Sequence, residues 1–370
     1  MQRIISKLKV DKAFLISTVV LLFLGIIIFL SASLGILPSN ELKFFAIIKS
    51  QLLYVFVFGS IALYIGSKIN YKYYKKYSII LFAISILGAF LVFVPGLGFY
   101  YNGAHRWIHI FSISIQPSEM IKLTSVILVA FFCNKYKKKF SDYKYGLIPF
   151  AGFVVLVAGT LLLQRDFGTL LIILSSSFLV FFVGGAKMRD ILILVLSGIL
   201  LFLLLIEVRP YMKERVLTFV DPSRELLGAG YQLNQSLIAV GSGNIFGRGI
   251  GQSIQKFNYL PEQISDSIFP VFAEETGFVG SLILLFIFLF IIIRGIHIAK
   301  YTTDEFGKLL AIGIVSIFLF QTVLNISSSI GIAPLTGVPL PFISKGGTSL
   351  VFLLFEFGIL LNISKYRIRL

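Results

Sequence analysis

These 370 residues read as an all-α polytopic membrane protein of ten transmembrane helices, with a long extracytoplasmic loop between helices 7 and 8. Three features lead there. Hydrophobic residues make up 57% of the chain and charged ones 14%, with a mean hydropathy of +0.93, outside the range of a soluble globular domain. The apolar residues come in long blocks and not in stripes of period 3.6. The basic residues concentrate in alternate gaps between those blocks.

A helix needs about 20 apolar residues to cross a hydrocarbon core of roughly 30 Å. On that criterion spans fall near residues 12–34, 45–66, 78–96, 118–134, 146–163, 168–186 and 190–207, then near 267–293, 308–328 and 347–363. With the N-terminus in the cytoplasm, the cytoplasmic segments hold 21 of the 33 basic residues against five acids, Asp11, Asp142, Asp190, Asp304 and Glu305. That side then carries the full net charge of +16, which places the C-terminus in the cytoplasm too.

A pI of 9.8 is also compatible with nucleic-acid binding, but here the charge is spread through short loops, so no nucleic-acid partner is expected. The sole cysteine, Cys133, excludes an intramolecular disulfide and a zinc cluster. Residues 1–33 imitate a signal peptide, yet their apolar stretch is too long for one and reads as a retained first helix.

No linker, repeat or low-complexity tract divides the chain, so residues 1–370 read as one integral domain. Cytoplasmic loops are short. The opposite side has medium loops at 97–117 and 329–346 and a long one at about 208–265. Within the long loop "GYQLNQSLIAVGSG" places Leu233, Leu237 and Val240 on one side of a helix, which predicts an amphipathic interfacial segment. Chemistry should therefore face outward.

Charged side chains at the edge of the hydrocarbon region cost several kcal/mol (~2–4) unless paired or wetted, so each needs a reason. Arg106 in "NGAHRWI", Gln116, Glu119 and Lys122 in "QPSEMIK", and Gln164, Arg165 and Asp166 in "QRDFGT" fall at outer ends of spans. With Asp266, Glu274, Glu275, Lys345 and Glu356 they can converge on one polar cavity. Plainer readings exist. Glu119 and Lys122 share a helical face and can simply pair; Trp107 suits an interfacial anchor; Pro334, Pro339 and Pro341 shape a rigid loop before Gly346 and Gly347. His105 and His109 lack metal-ligand spacing.

Asp266 stands apart. Pro261 breaks the preceding chain and Ser265 can cap, which puts Asp266 in the first turn of the eighth span, where the helix dipole favours an ionised carboxylate and hence a base. Glu274 lies about 12 Å deeper and Glu275 about 180° around the helix, so neither is a close second carboxylate. A carboxylate among Arg106, Lys122, Arg165, Arg248 and Lys345 suits a substrate with a lipid tail and an anionic head such as a polyprenyl pyrophosphate. Transport of an ion or lipid would use similar buried charges.

The motifs "NGAHRWI", "IQPSEMIKL", "QRDFGT", the block from "GYQLNQSLIAVGSG" to "FAEETGFVG", and "TGVPLPFISKGGTS" resemble, in order, those of the SEDS family (shape, elongation, division and sporulation). The resemblance implies a peptidoglycan glycosyltransferase of the bacterial cytoplasmic membrane. It would polymerise lipid II into β-1,4 glycan strands at the outer face, with a class B penicillin-binding protein as transpeptidase partner and further divisome or elongasome proteins around it.

The family's essential aspartate corresponds to Asp266. In the implied mechanism it deprotonates the 4-hydroxyl of a GlcNAc, which attacks the anomeric carbon of an undecaprenyl-diphosphate-linked glycan with inversion. Diphosphate is a good leaving group, so the second, acidic carboxylate of glycoside hydrolysis is not needed. Arg106, Gln116, Glu119, Lys122, Asp166, Arg248 and Lys345 are the expected substrate-binding positions. The family's divalent-cation dependence (Mg or Mn) is implied as well, without a ligand set that can be read from this chain. Two alternatives stay open: a lipid II flippase and a non-catalytic division scaffold.

The chain departs from the family where "QPD" is usual and Gln164, Arg165 and Asp166 stand, where Lys345 replaces an aromatic residue, and where "TDFIFA" appears as "SDSIFP". "GIGQSIQKFNYLPE" is closer to the division branch, FtsW, than to the elongation branch, RodA.

Overall fold

The computed structural model describes residues 10–101, 104–110, 113–140, 142–208, 210–221 and 228–366. Arg3, Lys7, Lys9, Arg367 and Arg369, counted above toward the cytoplasmic side, lie outside the described residues, as do positions 102 and 103 of "NGAHRWI" and parts of the long loop.

The chain is mostly helical. Helix α1 (Lys12–Ser33) starts on Asp11, whose carboxylate accepts from the Phe14 amide. Helix α2 (Glu41–Leu53) starts on Asn40 and runs through a π-helical turn at Tyr54–Gly59 into α3 (Ser60–Lys68), and α4 (Lys72–Phe90) follows. Each cap satisfies an amide that the first helical turn leaves without a partner. Next come α5 (Pro117–Lys135), which opens on proline, α6 (Leu147–Leu163), α7 (Phe167–Val183) and α8 (Met188–Val208). Helices α9 (Pro210–Val220) and α10 (Ala229–Ser242) occupy the long loop. Helices α11 (Ile268–Tyr301), α12 (Glu305–Ser329) and α13 (Gly347–Ser364) complete the bundle.

Seven stretches among the described residues are long and apolar enough to cross a bilayer: Lys12–Ile36, Glu41–Lys68, Lys72–Phe93, Pro117–Lys135, Ile268–Tyr301, Glu305–Ser329 and Gly347–Ser364. Helices α6 and α7 are apolar but shorter, at 17 residues each. The apolar windows of α5, α12 and α13 are 78%, 72% and 78% buried, against 28–39% for the other four spans, so these three form the centre and the rest turn apolar side chains outward to lipid. The seam between α3 and α13 is tight: a Cβ on Gly66 would overlap the Phe355 carbonyl, and one on Gly358 would overlap that of Leu63. Only glycine lets the two backbones meet there.

Three features go beyond the sequence reading. Residues between α4 and α5 form an antiparallel sheet, β1 (Gly98–Tyr101), β2 (Ala104–Ile110) and β3 (Ile113–Ile115), in that order. The amphipathic segment of the long loop is indeed helical as α10, but it buries Gly230, Leu233, Ser236 and Ala239, while Leu237 stays exposed. Helix α11 is broken at Gly277 (φ 67°, ψ −163°), a left-handed conformation reserved for glycine.

Candidate functional site

At the end of the bundle that carries the long loop lies a polar cavity of about 330 Å³. Its walls come from β2, α5, α7, α9, α10, α12, the turn before α11 and the loop before α13, so residues far apart in sequence meet only after folding. Asp266, Arg106, Gln116, Glu119, Lys122, Asp166 and Lys345 all line it.

Asp266 sits not in the first turn of α11 but one residue before its N-cap, Ser267, at the end of a turn-rich stretch. Its surroundings fix the backbone firmly. The Asn325 side-chain amide on α12 donates to the Asp266 carbonyl (2.9 Å), the Lys345 amide donates to the Ile264 carbonyl (2.7 Å), and the Ser344 hydroxyl donates to the Ser265 carbonyl. Burial pushes the Asp266 carboxyl up to about 6, helped by the nearby negative charge of Glu262 and opposed by hydrogen bonds from its own amide, Gln232 and Ser265. The expected dipole stabilisation of the anion is thus outweighed. A carboxylate raised toward neutrality is still mostly ionised at pH 7 and is a stronger base than an ordinary one.

Beside Asp266 the wall is basic and proline-rich. Lys345 is held below its ordinary value by burial, with Glu262 opposing the shift and Lys43 adding to it. The Arg106 guanidinium donates to the Arg165 carbonyl, and its Nε has no partner among the described residues. Trp107, read above as an interfacial anchor, is part of the cavity wall. The loop before α13 is tied to α12 twice: Gln321 donates to the Pro339 carbonyl (3.0 Å) and Asn325 to that of Val338 (2.7 Å).

The floor is an ion-pair cluster. Lys122 reaches Glu119 at 2.7 Å and the Gln321 side-chain oxygen at 2.8 Å, both on buried residues, and Glu356 of α13 lies close enough to feel both charges. The pairing read from sequence is real, and it lines the cavity as well. Asp166 is also held in place: it caps α7 through the Thr169 amide (3.3 Å) and accepts from Ser118 (2.9 Å) and Gln116 (3.2 Å). Arg165 adopts φ 56° in that hairpin, unusual for a side chain other than glycine.

Arg248 is not part of the cavity. It lies 3.3 Å from Glu274 in the loop that packs on the break in α11. Glu274 and Glu275 also face away from Asp266, toward that loop. The carboxylate that neighbours Asp266 is Glu262, four residues earlier. Arg215 of α9 and Gln232 of α10 also line the cavity; neither was singled out from sequence, because only the folded loop brings these helices over the bundle. Gln321 and Asn325 did carry a signal, being amides four apart on one face of an apolar helix.

Among the described residues no three His, Cys, Asp or Glu side chains converge on one point. The donor set therefore does not make a metal cage by itself.

A profile of the cell cycle protein family FtsW/RodA/SpoVE matches residues 12–369. Stage V sporulation protein E of Bacillus subtilis is 37% identical over 363 residues, covering 98% of each chain. A probable peptidoglycan glycosyltransferase FtsW of Geobacter metallireducens is 33% identical, covering 96% of this chain and 94% of its own. One of Coxiella burnetii is 34% identical, covering 96% of both. Among solved structures, one reported under structural coordination of polymerization and crosslinking by a peptidoglycan synthase complex superposes with a TM-score of 0.79 at 26% identity, covering 96% of this chain and 98% of that one. The Thermus thermophilus rod shape determining protein RodA superposes with a TM-score of 0.71 at 23% identity, covering 98% and 99%. The near-complete profile match and the full-length relatives agree with the order of the motifs: this chain belongs to the FtsW/RodA/SpoVE cell cycle protein family, the SEDS family that its sequence resembles.

Proposed function

We propose that this protein is a peptidoglycan glycosyltransferase that polymerises lipid II, with Asp266 as general base. The observation that carries the reading is Asp266 on the wall of a polar cavity shared with Arg106, Arg215 and Lys345, in a chain a third identical to FtsW proteins over almost its whole length. Asp266 takes the proton of the acceptor 4-hydroxyl as its oxygen bonds to the anomeric carbon of the donor. The bond from that carbon to diphosphate breaks, and the electron pair leaves with the undecaprenyl diphosphate. Attack opposite the leaving group turns an α-linked donor into a β-1,4 product.

The basic side chains suit the diphosphate, since guanidinium and ammonium groups stabilise charge that grows on a leaving oxygen. Arg106 and Lys345 from the earlier set fill this role, joined by Arg215, while Glu119, Lys122, Gln116 and Asp166 hold the cavity's shape. A magnesium or manganese ion would neutralise charge on the donor diphosphate, and Asp266 is the cavity carboxylate that would face it.

Counting α6, α7 and α8 with the seven longer spans gives ten crossings of the bacterial cytoplasmic membrane. Both termini are then cytoplasmic and the cavity faces outward, as the basic loops favour. The structural likeness to a component of a peptidoglycan synthase complex supports a class B penicillin-binding protein as transpeptidase partner, within a larger division or elongation assembly. The full-length FtsW relatives favour a role in division over one in elongation.

The test is glycan polymerisation by the purified protein with its transpeptidase partner, lipid II and a divalent cation. Asp266→Asn is expected to lose at least about a hundredfold in rate while keeping fold and partner binding. Equal polymer from mutant and parent would overturn the assignment of the base, and lipid II flipping without polymer would favour the transporter.

A further inference from the structure

The break in α11 is filled by the segment at 244–256, whose backbone supplies partners to both cut ends of the helix. On one side of Gly277, the amides of Arg248 and Gly249 donate to the carbonyls of Glu274 (3.0 Å) and Glu275 (2.9 Å). On the other side, the amides of Phe278 and Val279 donate to the carbonyls of Asn244 (2.9 Å) and Ile245 (3.1 Å). The loop thus supplies the partners that each half-helix lacks at its cut end. Gly243, Gly247 and Gly277 allow this approach, since a Cβ on any of them would overlap the opposing backbone.

The two glutamates beside the break clasp the same loop. Glu274 accepts from the Ser253 hydroxyl (2.5 Å) and from the amides of Ile254 and Gln255 (3.2 Å each). Glu275 accepts from Lys256 (2.7 Å) and from Ser31 of α1, whose oxygen in turn accepts from the Gly251 amide (3.1 Å). Lys256 is fully buried.

With its polar groups turned inward, the loop turns apolar side chains outward. Ile245, Phe246, Ile250 and Ile254 are 60%, 80%, 68% and 48% exposed. The hydrogen bonds at the break place Asn244 and Ile245 level with Phe278 and Val279, where the lipid-facing stripe of α11 begins and continues through Ile283, Phe286 and Phe290. Irregular backbone enters a hydrocarbon layer only when protein satisfies its polar groups. Here the amides of Arg248, Gly249, Gly251, Ile254 and Gln255 and the carbonyls of Asn244 and Ile245 are bonded, and the main chain of Phe246 and Ile250 stays at the interface while their side chains point into the leaflet.

We propose that segment 244–255 is a membrane anchor, with Ile245, Phe246, Ile250 and Ile254 seated among the acyl chains of the adjacent leaflet. Arg248, partly exposed beside Glu274, lies at the level of the headgroups. The half-helix between this anchor and Asp266 runs over nine residues, Ile268 to Thr276, or about 13 Å. The anchor therefore sets the height of Asp266 above the leaflet, a consequence that rests on Asp266 being the base for a lipid-linked substrate.

The experiment is spin labelling of Phe246→Cys and Ile250→Cys in lipid nanodiscs, without a partner protein. Cys133, the only native cysteine, is buried, and the labelled parent serves as blank. Labels at Phe286→Cys and Lys138→Cys mark lipid and water. The expected result is collision with oxygen as frequent as at the lipid marker and with a water-soluble nickel chelate at most a tenth of that at the water marker. Nickel access equal to that at Lys138→Cys overturns the anchor. Protection from both reagents overturns it too, since protein then covers the face. Parent-like thermal unfolding of each variant certifies the fold, and a variant that fails it is replaced by its neighbour Ile245→Cys or Ile254→Cys. No catalysis is needed, so a failed anchor and a failed base assignment are told apart.

Discussion

Asn325, near the loop end of α12, donates through one side-chain nitrogen to the carbonyl of Asp266 at 2.9 Å and to that of Val338 at 2.7 Å. One amide thereby joins the turn that carries the candidate base to the proline-rich loop beside it. Asn325→Ala leaves both carbonyls without this donor, at about 1–3 kcal/mol for a buried unsatisfied group. A lower melting temperature is expected, together with a loss of turnover of roughly ten- to a hundredfold as Asp266 drifts. A destabilised variant that polymerises lipid II at the parent rate would show that Asn325 does not position the base.

The acid limb of the pH profile should report Asp266. Burial and Glu262 raise its carboxyl to about 6, and a general base works only when ionised. Polymerisation is expected to climb about tenfold per pH unit below that value and to level off above it. Glu262→Gln removes the neighbouring negative charge, so the limb should move to lower pH. An unmoved limb would mean that the two carboxylates do not interact.

The same shift has a cost for the fold. A carboxyl raised above its unfolded value binds its proton more tightly in the native state, so its contribution favours folding at low pH and is lost as pH rises from about 4 through about 6. Asp266→Asn should therefore be more stable than the parent at pH 8, by something on the order of 1–2 kcal/mol, and no more stable at pH 4. Melting temperatures in detergent at both pH values decide this. A less stable variant at pH 8 would show the carboxylate to be structural.

Lys122 pairs with Glu119 and Gln321 in the buried floor of the cavity, with the buried Glu356 within reach of its charge. Lys122→Met strands two acids there, and breaking a buried pair from one side costs about 3–5 kcal/mol. Glu356→Gln alone should cost little. In the double variant the loss should be smaller than the sum of the two single losses, because one of the stranded acids is gone. Strict additivity in thermal unfolding would place Glu356 outside the cluster.

Much of this site was legible as charge in the wrong place. Asp266, Arg106, Glu119, Lys122, Asp166 and Lys345 stood out because a bilayer tolerates such groups only where they are paired or wet, and the fold brings all six to one cavity. Arg248 was misplaced because its nearest acid, Glu274, is 26 positions away and the break at Gly277 has no mark beyond an ordinary glycine. The sheet had a signal, an Asn-Gly pair at 102–103 before the alternating "HRWIHI", that the surrounding apolar blocks outweighed. Arg215 and Gln232 were illegible because nothing local says that α9 and α10 fold back over the bundle. The acids at the head of α11 turn out to serve two ends: Asp266 faces the cavity, and Glu274 and Glu275 tie down a loop.

The backbone contact between Gly66 and Gly358 restricts traffic as well as packing. Where two helices touch main chain to main chain there is no slot for a hydrocarbon tail, so at the level of Gly66, two residues from the end of α3, the second and the last span form a closed door. A hydrocarbon tail in the cytoplasmic half of the bilayer therefore cannot pass between these two spans, and widening the Gly66–Gly358 seam would open a gap there that the native protein lacks.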